Sequence, residues 1–599
     1  TFRLHSPPGG AAWAKVATAQ MGSTLCRQAT ENCHSQTVHP MRFPMYVVKI
    51  SDFLDMDGPP LPHSALAERG QLYQWKAGMF VIFVSHQWLT TQLPDPTGYQ
   101  MQALRRVLKG VIEGSMTVET DIISQTYASQ QTFSADRLVD GYLWMDWFSI
   151  PQVRARAKGV DEEETKSDAA KAIQSIPAYV EVSTAFLALV PAVRDSDKIN
   201  ERNYTSWLAR GWCRAELWCH LLSNKKDTSV IVVHSTKEAK FMFPMDWQYN
   251  LVCDGEFTVE DDREVVVRLG DRAVEHKIKH LGKEGPVDMY RFYLAHRPKL
   301  LGKEIPQRTL EDFLEHFRFA DLEAAVNDTS SMNAMLCAMF SSDVGMLRVL
   351  AEHKADVNMQ LKGLGALGYY DSQTLLMAAA KSRQGPEVFK TLIELRADVN
   401  ARSNNGMNCA FLARNPEQVR VLIDAKADLH SHCEPLGLTP LSGVSAMASP
   451  ATVNTMLEAR CDPNPEPRGI GHGPLHGVIM VSRGNPFAAA NAKLLLEHHA
   501  NPNSHCAPSG KFAWACMTSC IYASIVGLDA TSQASKHFAC LSGGTPLALA
   551  AFVGDEELVK LLWRFGAEDA ANDIGLEPKD WALSKGHSRV FECLNTFRV

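Results

Sequence analysis

Short apolar runs and polar turns alternate in a repeating pattern through the second half of the chain. TLIELRADVN, Thr391 to Asn400, is echoed by VLAEHKADVN ending at Asn358, VLIDAKADLH at His430, TMLEARCDPN at Asn464, LLLEHHANPN at Asn503 and LLWRFGAEDA at Ala570. Each run places apolar residues at helical spacing and ends in a small residue, an acid or amide, and usually Asn. Roughly two to three dozen residues separate most copies, the period of a stacked array rather than of one globular core. A second piece precedes most copies: TPLSGVSA from Thr439, GPLHGVIM from Gly473 and TPLALAAF from Thr545. Thr caps a helix and Pro fits its first turn, so these pieces predict helix starts. One such pair cannot bury its apolar face alone, and stacking supplies the core.

The first half has a different rhythm. MFVIFVSHQW (Met79 to Trp88) predicts a buried strand ending in a polar and aromatic cluster, and Tyr99 to Gly114 a helix with Leu104, Val107, Leu108 and Val111 on one face. YLWMDWF from Tyr142 predicts a second strand and AFLALVP, ending at Pro191, a third. RGWCRAELWCHLL (Arg210 to Leu222) reads as a helix and SVIVVHS (Ser229 to Ser235) as a fourth strand. Strands alternating with helices predict a parallel sheet covered on both faces. A ligand crevice in such a sheet lies beyond the carboxyl ends of its strands. Ser85, His86, Trp88, Asp146, Trp147 and Phe148 stand there and are the substrate-binding candidates.

The repeats resemble ankyrin repeats, with the helix-opening T-P-L-H and the L-L-x-x-G-A-D-V-N turn both legible. One departure is informative. The glycine that ends the family's second helix is replaced by Lys354, Arg396, Lys426, Arg460 and His499, and kept only at Gly566. A non-glycine residue in a left-handed position costs roughly 1 kcal/mol, and a cation at the helix carboxyl end offsets about 0.3–1 kcal/mol of it. The array is therefore expected to be weaker and more mobile than the family's pattern implies. The resemblance implies an all-α solenoid of about seven repeats over residues 320–599, capped by Gly575 to Leu594. It also implies a protein partner on its surface.

Two further resemblances meet over residues 80–234. FVSH, WMDW, FLALVP and W-C-x-x-E in that order resemble a Toll/interleukin-receptor (TIR) domain, the last motif falling on Trp212, Cys213 and Glu216. SHQW and YLWMDWFSIPQ resemble the fungal heterokaryon-incompatibility (HET) domain. Asp146 and Gln152 match its signature, and Ser149 stands where that family has Cys. Both imply a flavodoxin-like α/β domain, here residues 41–318, able to self-associate. The TIR resemblance further implies that Glu216 is the acid that cleaves NAD at its nicotinamide–ribose bond, with NAD as substrate and no bound cofactor. Nicotinamide leaves as a neutral group, so a carboxylate that steadies the oxocarbenium-like transition state suffices. The structural alternative is an ion pair between Glu216 and Arg210, Arg214 or another basic group.

Composition narrows the setting. The 599 residues are 45% hydrophobic and 21% charged, as in a folded soluble protein, and suffice for several domains. A net charge of −7 without a long basic run argues against a nucleic-acid platform. Fourteen cysteines scattered without paired spacing fit a reducing, cytoplasmic compartment. The apolar runs are too short to span a membrane. Residues 1–40 lack periodicity and read as a tail. Residues 506–543 interrupt the repeats with an apolar insertion expected to pack on the array.

Several motifs carry nothing further. GLGALG (Gly363 to Gly368) follows a repeat turn rather than a strand, so a long finger is expected there instead of a dinucleotide site. His430, His432 and Cys433 lack a second ligand pair for zinc, and no metal site is expected. The acids Glu256, Glu260, Asp261 and Asp262 read as a helix start. The sequence therefore predicts protein recognition by repeats coupled to a signalling or effector domain. The alternatives are an NAD-cleaving enzyme regulated by the repeats, or a passive scaffold.

Overall fold

A computed structural model describes residues 39–90, 92–118, 135–156, 159–194, 201–242, 246–306, 308–528 and 530–596. The proposed tail therefore lies, up to residue 38, outside the described residues.

Seven strands form one mixed sheet: β1 (Tyr46–Lys49), β2 (Tyr73–Gln74), β3 (Val81–His86), β4 (Tyr142–Trp144), β5 (Ala185–Leu189), β8 (Val230–Ser235) and β9 (Glu238–Phe241), in the order β2-β1-β4-β3-β5-β8-β9. The two remaining strands, β6 (Val193–Arg194) and β7 (Glu201–Arg202), make a separate antiparallel ribbon. The four central strands, β4, β3, β5 and β8, run parallel, whereas β1, β2 and β9 pair antiparallel at the edges. All six residues of β3 are buried, as a strand covered on both faces requires.

Alternate side chains face opposite layers. Phe83 stacks between Trp144 at 4.3 Å and Phe186 at 5.4 Å on one face. Ile82, Val84, Leu143 and Leu187 face the Tyr99–Ile112 helix on the other. The YLWMDWF strand is shorter than expected: it ends at Trp144, and Asp146–Ser149 turns into a short helix.

After the sheet, Asp262–Glu284 and Val287–Leu300 form two long helices, the first opening on Asp262 and Glu264 at the positive end of its dipole. Buried Arg291 ties the second to the repeats through Asp328 (2.8 Å) and the Phe317 carbonyl (2.8 Å).

Seven helix pairs then stack among the described residues, from Ala334–Phe340 with Val344–Glu352 to Pro578–Ser584 with Ser588–Thr596. Leu392, Leu422, Leu457 and Leu495 share one continuous core. Side chains of Asn333, Thr374, Thr439 and Thr545 cap first helices. The second helices end as the cationic substitutions imply. Lys354, Arg396, Lys426, Arg460 and His499 have φ of 71°, 69°, 59°, 62° and 66°. At each end two backbone bonds close a Schellman turn, such as Ala397 N–H to Leu392 O and Arg396 N–H to Ile393 O, both 2.9 Å.

The terminal Asn of each turn has a physical role that the repeat pattern alone did not reveal. Asn400 donates from Nδ2 to the Lys426 carbonyl (3.3 Å) and accepts the Asp428 N–H (2.7 Å), lacing one turn to the next. Asn358, Asn464 and Asn503 do the same. His430, in the remaining position, makes no such rung among the described residues.

The insertion folds as the Gly510–Val526 helix packed against Gln533–Leu541. Cys516 and Cys520 face inward, while Trp514 and Ile525 stay 68% and 76% exposed.

The array does not hang free of the sheet. The turns that follow its first helices close on the β8–β9 edge. Glu238, on β9 and without exposed surface, pairs with Arg483 (2.8 Å) and Lys585 (2.6 Å) of two repeats and with Lys240 (2.9 Å). Burial would raise its carboxyl, but Arg483, Lys240 and Lys585 hold it far below the usual carboxylate range. Arg194 reaches Glu556 at 2.8 Å, and Gln248 donates to the Leu367 carbonyl at 2.9 Å. Gly484 (φ 77°) lies flat against the Tyr204–Ala209 helix: a β-carbon there would stand 3.0 Å from both Tyr204 and Leu208.

Candidate functional site

The carboxyl ends of β3 and β4 meet the Gly211–Leu221 helix. That helix opens on Gly211, which lets the Gly255–Phe257 loop pack on its first turn, since any β-carbon there would overlap the Phe257 ring. Trp212 anchors its first turn, donating from Nε1 to Asp262 at 3.0 Å. One turn on, half-buried Glu216 accepts the Ser85 hydroxyl at 2.5 Å. Ser85 in turn accepts the Trp207 indole N–H at 3.0 Å. The indole occupies the hydroxyl's lone pair and so aims its proton at Glu216.

Beside this chain lies a second one. His86 Nε2 is 3.0 Å from Asp146 Oδ1 and its Nδ1 3.1 Å from Gln100 Oε1. Trp88 Nε1 donates to Asp146 Oδ2 at 2.7 Å, and the Trp147 backbone N–H to Oδ1 at 2.6 Å. Gln87 is held by Ser206, whose hydroxyl it accepts at 2.6 Å.

The electrostatics separate the two acids. Burial pushes the Glu216 carboxyl up to about 8; the Ser85 hydroxyl pulls it back, nearby Asp146 adds to the rise, and His86 opposes it. Burial also disfavours the Asp146 anion, but His86, Trp88 and the Trp147 N–H outweigh it and lower its pKa. His86 follows suit: burial lowers it, and Asp146 with Gln100 raises it further than burial takes away. The result is an Asp146–His86 pair in which each partner favours the charged form of the other, next to a carboxyl raised to about 8. Two titratable groups driven apart by their surroundings are what acid–base chemistry needs.

The structure thus brings Ser85, His86, Trp88, Asp146 and Glu216 together. Trp147 and Phe148 do not join them. They are 5% and 1% exposed, Trp147 donating to the Pro60 carbonyl at 3.0 Å and Phe148 packing on Phe53, so neither offers a face to a ligand. Arg210 and Arg214 do not pair with Glu216. Arg210 donates to Thr258 (2.6 Å), and Arg214 to the Leu251 carbonyl (2.7 Å) and Asn250 (3.3 Å). Ser149 is buried, and Gln152 donates to the Ile150 carbonyl at 3.0 Å.

Three supporting residues escape a reading by motif. Gln100 is a polar residue on the apolar face of its helix, four before Leu104, and that mismatch is a usable signal. Trp207 and Ser206 carry none, because only the tertiary fold brings the Tyr204–Ala209 helix to β3.

Among the described residues no group of three or more His, Cys, Asp or Glu is placed to hold a metal ion, and no helix is long and apolar enough to cross a membrane. Histidines 430 and 432 with Cys433 lie in the segment that joins two repeats.

Comparison with known proteins bears on the helical half. The ankyrin repeat family matches residues 371–404. The paired helices and their left-handed ends agree with that match, and the second half of the chain has an ankyrin-repeat fold. Among solved structures, the human ASB11 ankyrin repeat domain is 18% identical over 43% of this chain and 95% of that one, with a TM-score of 0.30. The ankyrin repeat domain of Bcl-3, described as a unique member of the IkappaB protein family, is 21% identical over 45% of this chain and 99% of that one, with a TM-score of 0.29. No curated protein matches the chain.

Proposed function

We propose that the chain is a regulated effector, in which ankyrin repeats recognise a protein and govern a TIR- or HET-like α/β domain spanning residues 41–318. The observation that carries this reading is the buried charge cluster at Glu238. A scaffold that merely tethers its neighbour has no need to bury a carboxylate between cations of two repeats and the sheet edge, since such a cluster fixes geometry at the expense of desolvation. The β8–β9 edge and the finger residue Leu367 are already engaged within the chain, so a protein partner is left exposed loop positions such as Lys362 and Arg468. The test reverses both charges, with Lys362→Glu and Arg468→Glu, and compares the proteins bound by each form at matched stability. Loss of a partner that the unaltered chain retains supports the reading. Identical binding by both forms refutes it.

A second reading, cleavage of NAD at the nicotinamide–ribose bond, is favoured by the Ser85–Glu216 pair. Glu216 has no cation partner among the described residues, so its burial is not explained by a structural ion pair. The pyridinium charge of NAD beside it would lower its pKa and draw out the carboxylate that offsets developing positive charge. Trp88, half-buried at the rim, offers an aromatic face to a base. Incubation with NAD is expected to release free nicotinamide, and Glu216→Gln to abolish release without loss of fold. Turnover that survives Glu216→Gln, or no release by the unaltered protein, refutes the enzyme reading.

A further inference from the structure

A cavity of about 360 Å³ lies away from Glu216, between the β8–β9 edge and the repeats. Its size is that of a small-ligand site, about 300–1,000 Å³. The chain carries a net charge of −7, yet no Asp or Glu lines this space. Four cations do: Arg214 and Lys240 from the α/β domain, Arg383 and Arg483 from the array. Lys240 and Arg483 are partly neutralised by Glu238 beneath them. Arg214 and Arg383 make no ion pair among the described residues. Arg214 is buried and spends its guanidinium on two backbone carbonyls and Asn250. Arg383 stands at the rim in a left-handed backbone conformation (φ 56°), 4.3 Å above the Tyr249 ring.

Further amines stand behind the wall. Lys299 donates to the Ser382 carbonyl and buried Lys381 to the Gly368 carbonyl, neither meeting a carboxylate. Like charges gathered at low dielectric oppose one another, and burial lowers Lys299 to about 8 and Lys381 to about 7. An entering polyanion would relieve the repulsion and bridge both halves of the molecule. The rest of the wall mixes the polar His234, Asn250 and Asn485 with apolar side chains, and Phe487 offers its ring to the flat of a heterocycle.

We propose that this interdomain cavity is a binding site for a nucleotide carrying at least two phosphates, its phosphates held by Arg383 and Arg483 and its base against Phe487. The assignment is independent of any chemistry at Glu216. Such a ligand would touch sheet and array at once, and its binding would favour their docked arrangement by mass action.

The test uses the full chain, calorimetry and thermal melting, with ADP, inorganic pyrophosphate and adenosine as probes. ADP is expected to bind and to raise the melting temperature. Pyrophosphate is expected to bind at least tenfold more weakly, and adenosine not at all. Arg383→Gln, at the rim and outside every ion pair described, should weaken ADP at least tenfold at unchanged melting temperature of the free protein. Phe487→Ala should weaken ADP but not pyrophosphate, and Glu216→Gln should leave ADP binding unaltered. No binding of ADP or pyrophosphate at millimolar concentration overturns the site. So does ADP affinity indifferent to Arg383→Gln, or affinity lost with Glu216→Gln. Adenosine binding as tightly as ADP overturns the anion assignment, and pyrophosphate matching ADP overturns the base assignment.

Discussion

Replacing Glu238 by Gln probes the interface between the two halves directly. The change preserves size and removes one charge from a side chain with no exposed surface. Lys585, 1% exposed, would be left 2.6 Å from an amide, while Arg483 and Lys240, 21% and 29% exposed, can turn toward solvent. Breaking a buried pair on one side costs about 3–5 kcal/mol. Burial already lowers Lys585 to about 7, so it can shed its proton in the variant and the loss should be at most about 3 kcal/mol. That is a large share of the roughly 5–15 kcal/mol that holds a domain folded. Urea unfolding at pH 7, followed by far-ultraviolet circular dichroism, gives the difference. The pH dependence supplies a second check. Glu238 has a folded pKa depressed below its unfolded value, so its stabilisation is present above the unfolded pKa and lost as pH falls through the folded one. The gap between the natural protein and the variant should therefore close on acidification. Glu238→Gln combined with Lys585→Met should recover most of the loss. A gap below about 1 kcal/mol at pH 7, or one that widens toward acid pH, would show that solvent or carbonyls satisfy these cations without the carboxylate.

Three further outcomes are expected. Lys354→Gly, Arg396→Gly and Lys426→Gly, at positive φ, should each stabilise the array by up to about 1 kcal/mol less the lost charge at the helix end, and thermal melts showing consistent destabilisation would refute the strain argument. His430→Asn should supply the absent rung and add about 1 kcal/mol, whereas Asn400→Ala should remove one at about 1–2 kcal/mol; equal melting temperatures for both would deny the ladder any energetic role. Glu216 has a folded pKa raised to about 8, so its contribution is complete below the unfolded value and declines as pH rises through 8. Glu216→Gln should accordingly gain stability relative to the unaltered chain between about pH 5 and pH 8, and a difference constant with pH would mean that Glu216 is ionised throughout.

The parts of this molecule legible in the sequence are the local ones. Repeat turns declare themselves because a Schellman end, a capping Thr and an interior Leu are all set within one helix length. The buried strands are equally plain in VIFVSH and AFLAL. Antiparallel edges escaped because β1 and β9 are four residues each and carry no alternation to speak of. The start of the Asp262–Glu284 helix was legible in its acids, whereas its buried face, Val266, Gly270, Val274, Ile278 and Leu281, was not read from the sequence. At the site, Glu216, Ser85 and Asp146 follow from motif and strand-end position. Trp207 does not, since its place is decided by how the Tyr204–Ala209 helix packs. The docking of array on sheet was invisible for a similar reason: Glu238 sits in TKEAKF, which by composition resembles an exposed hairpin.

The missing asparagine at His430 divides the array mechanically. Helix packing continues across that seam and the Ile470 N–H still reaches the Leu436 carbonyl at 2.9 Å, but the asparagine rung found on either side is absent there, so bending is expected to concentrate at that joint. Repeats before the joint grip the α/β domain through Leu367 and Lys381, and repeats after it through Gly484, Glu556 and Lys585. Arg383 and Arg483 stand on opposite sides of the joint, and both line the interdomain cavity from the array. A pull on the finger edge would therefore be delivered, as in a ruler scored once across its width, to the gap between those two arginines.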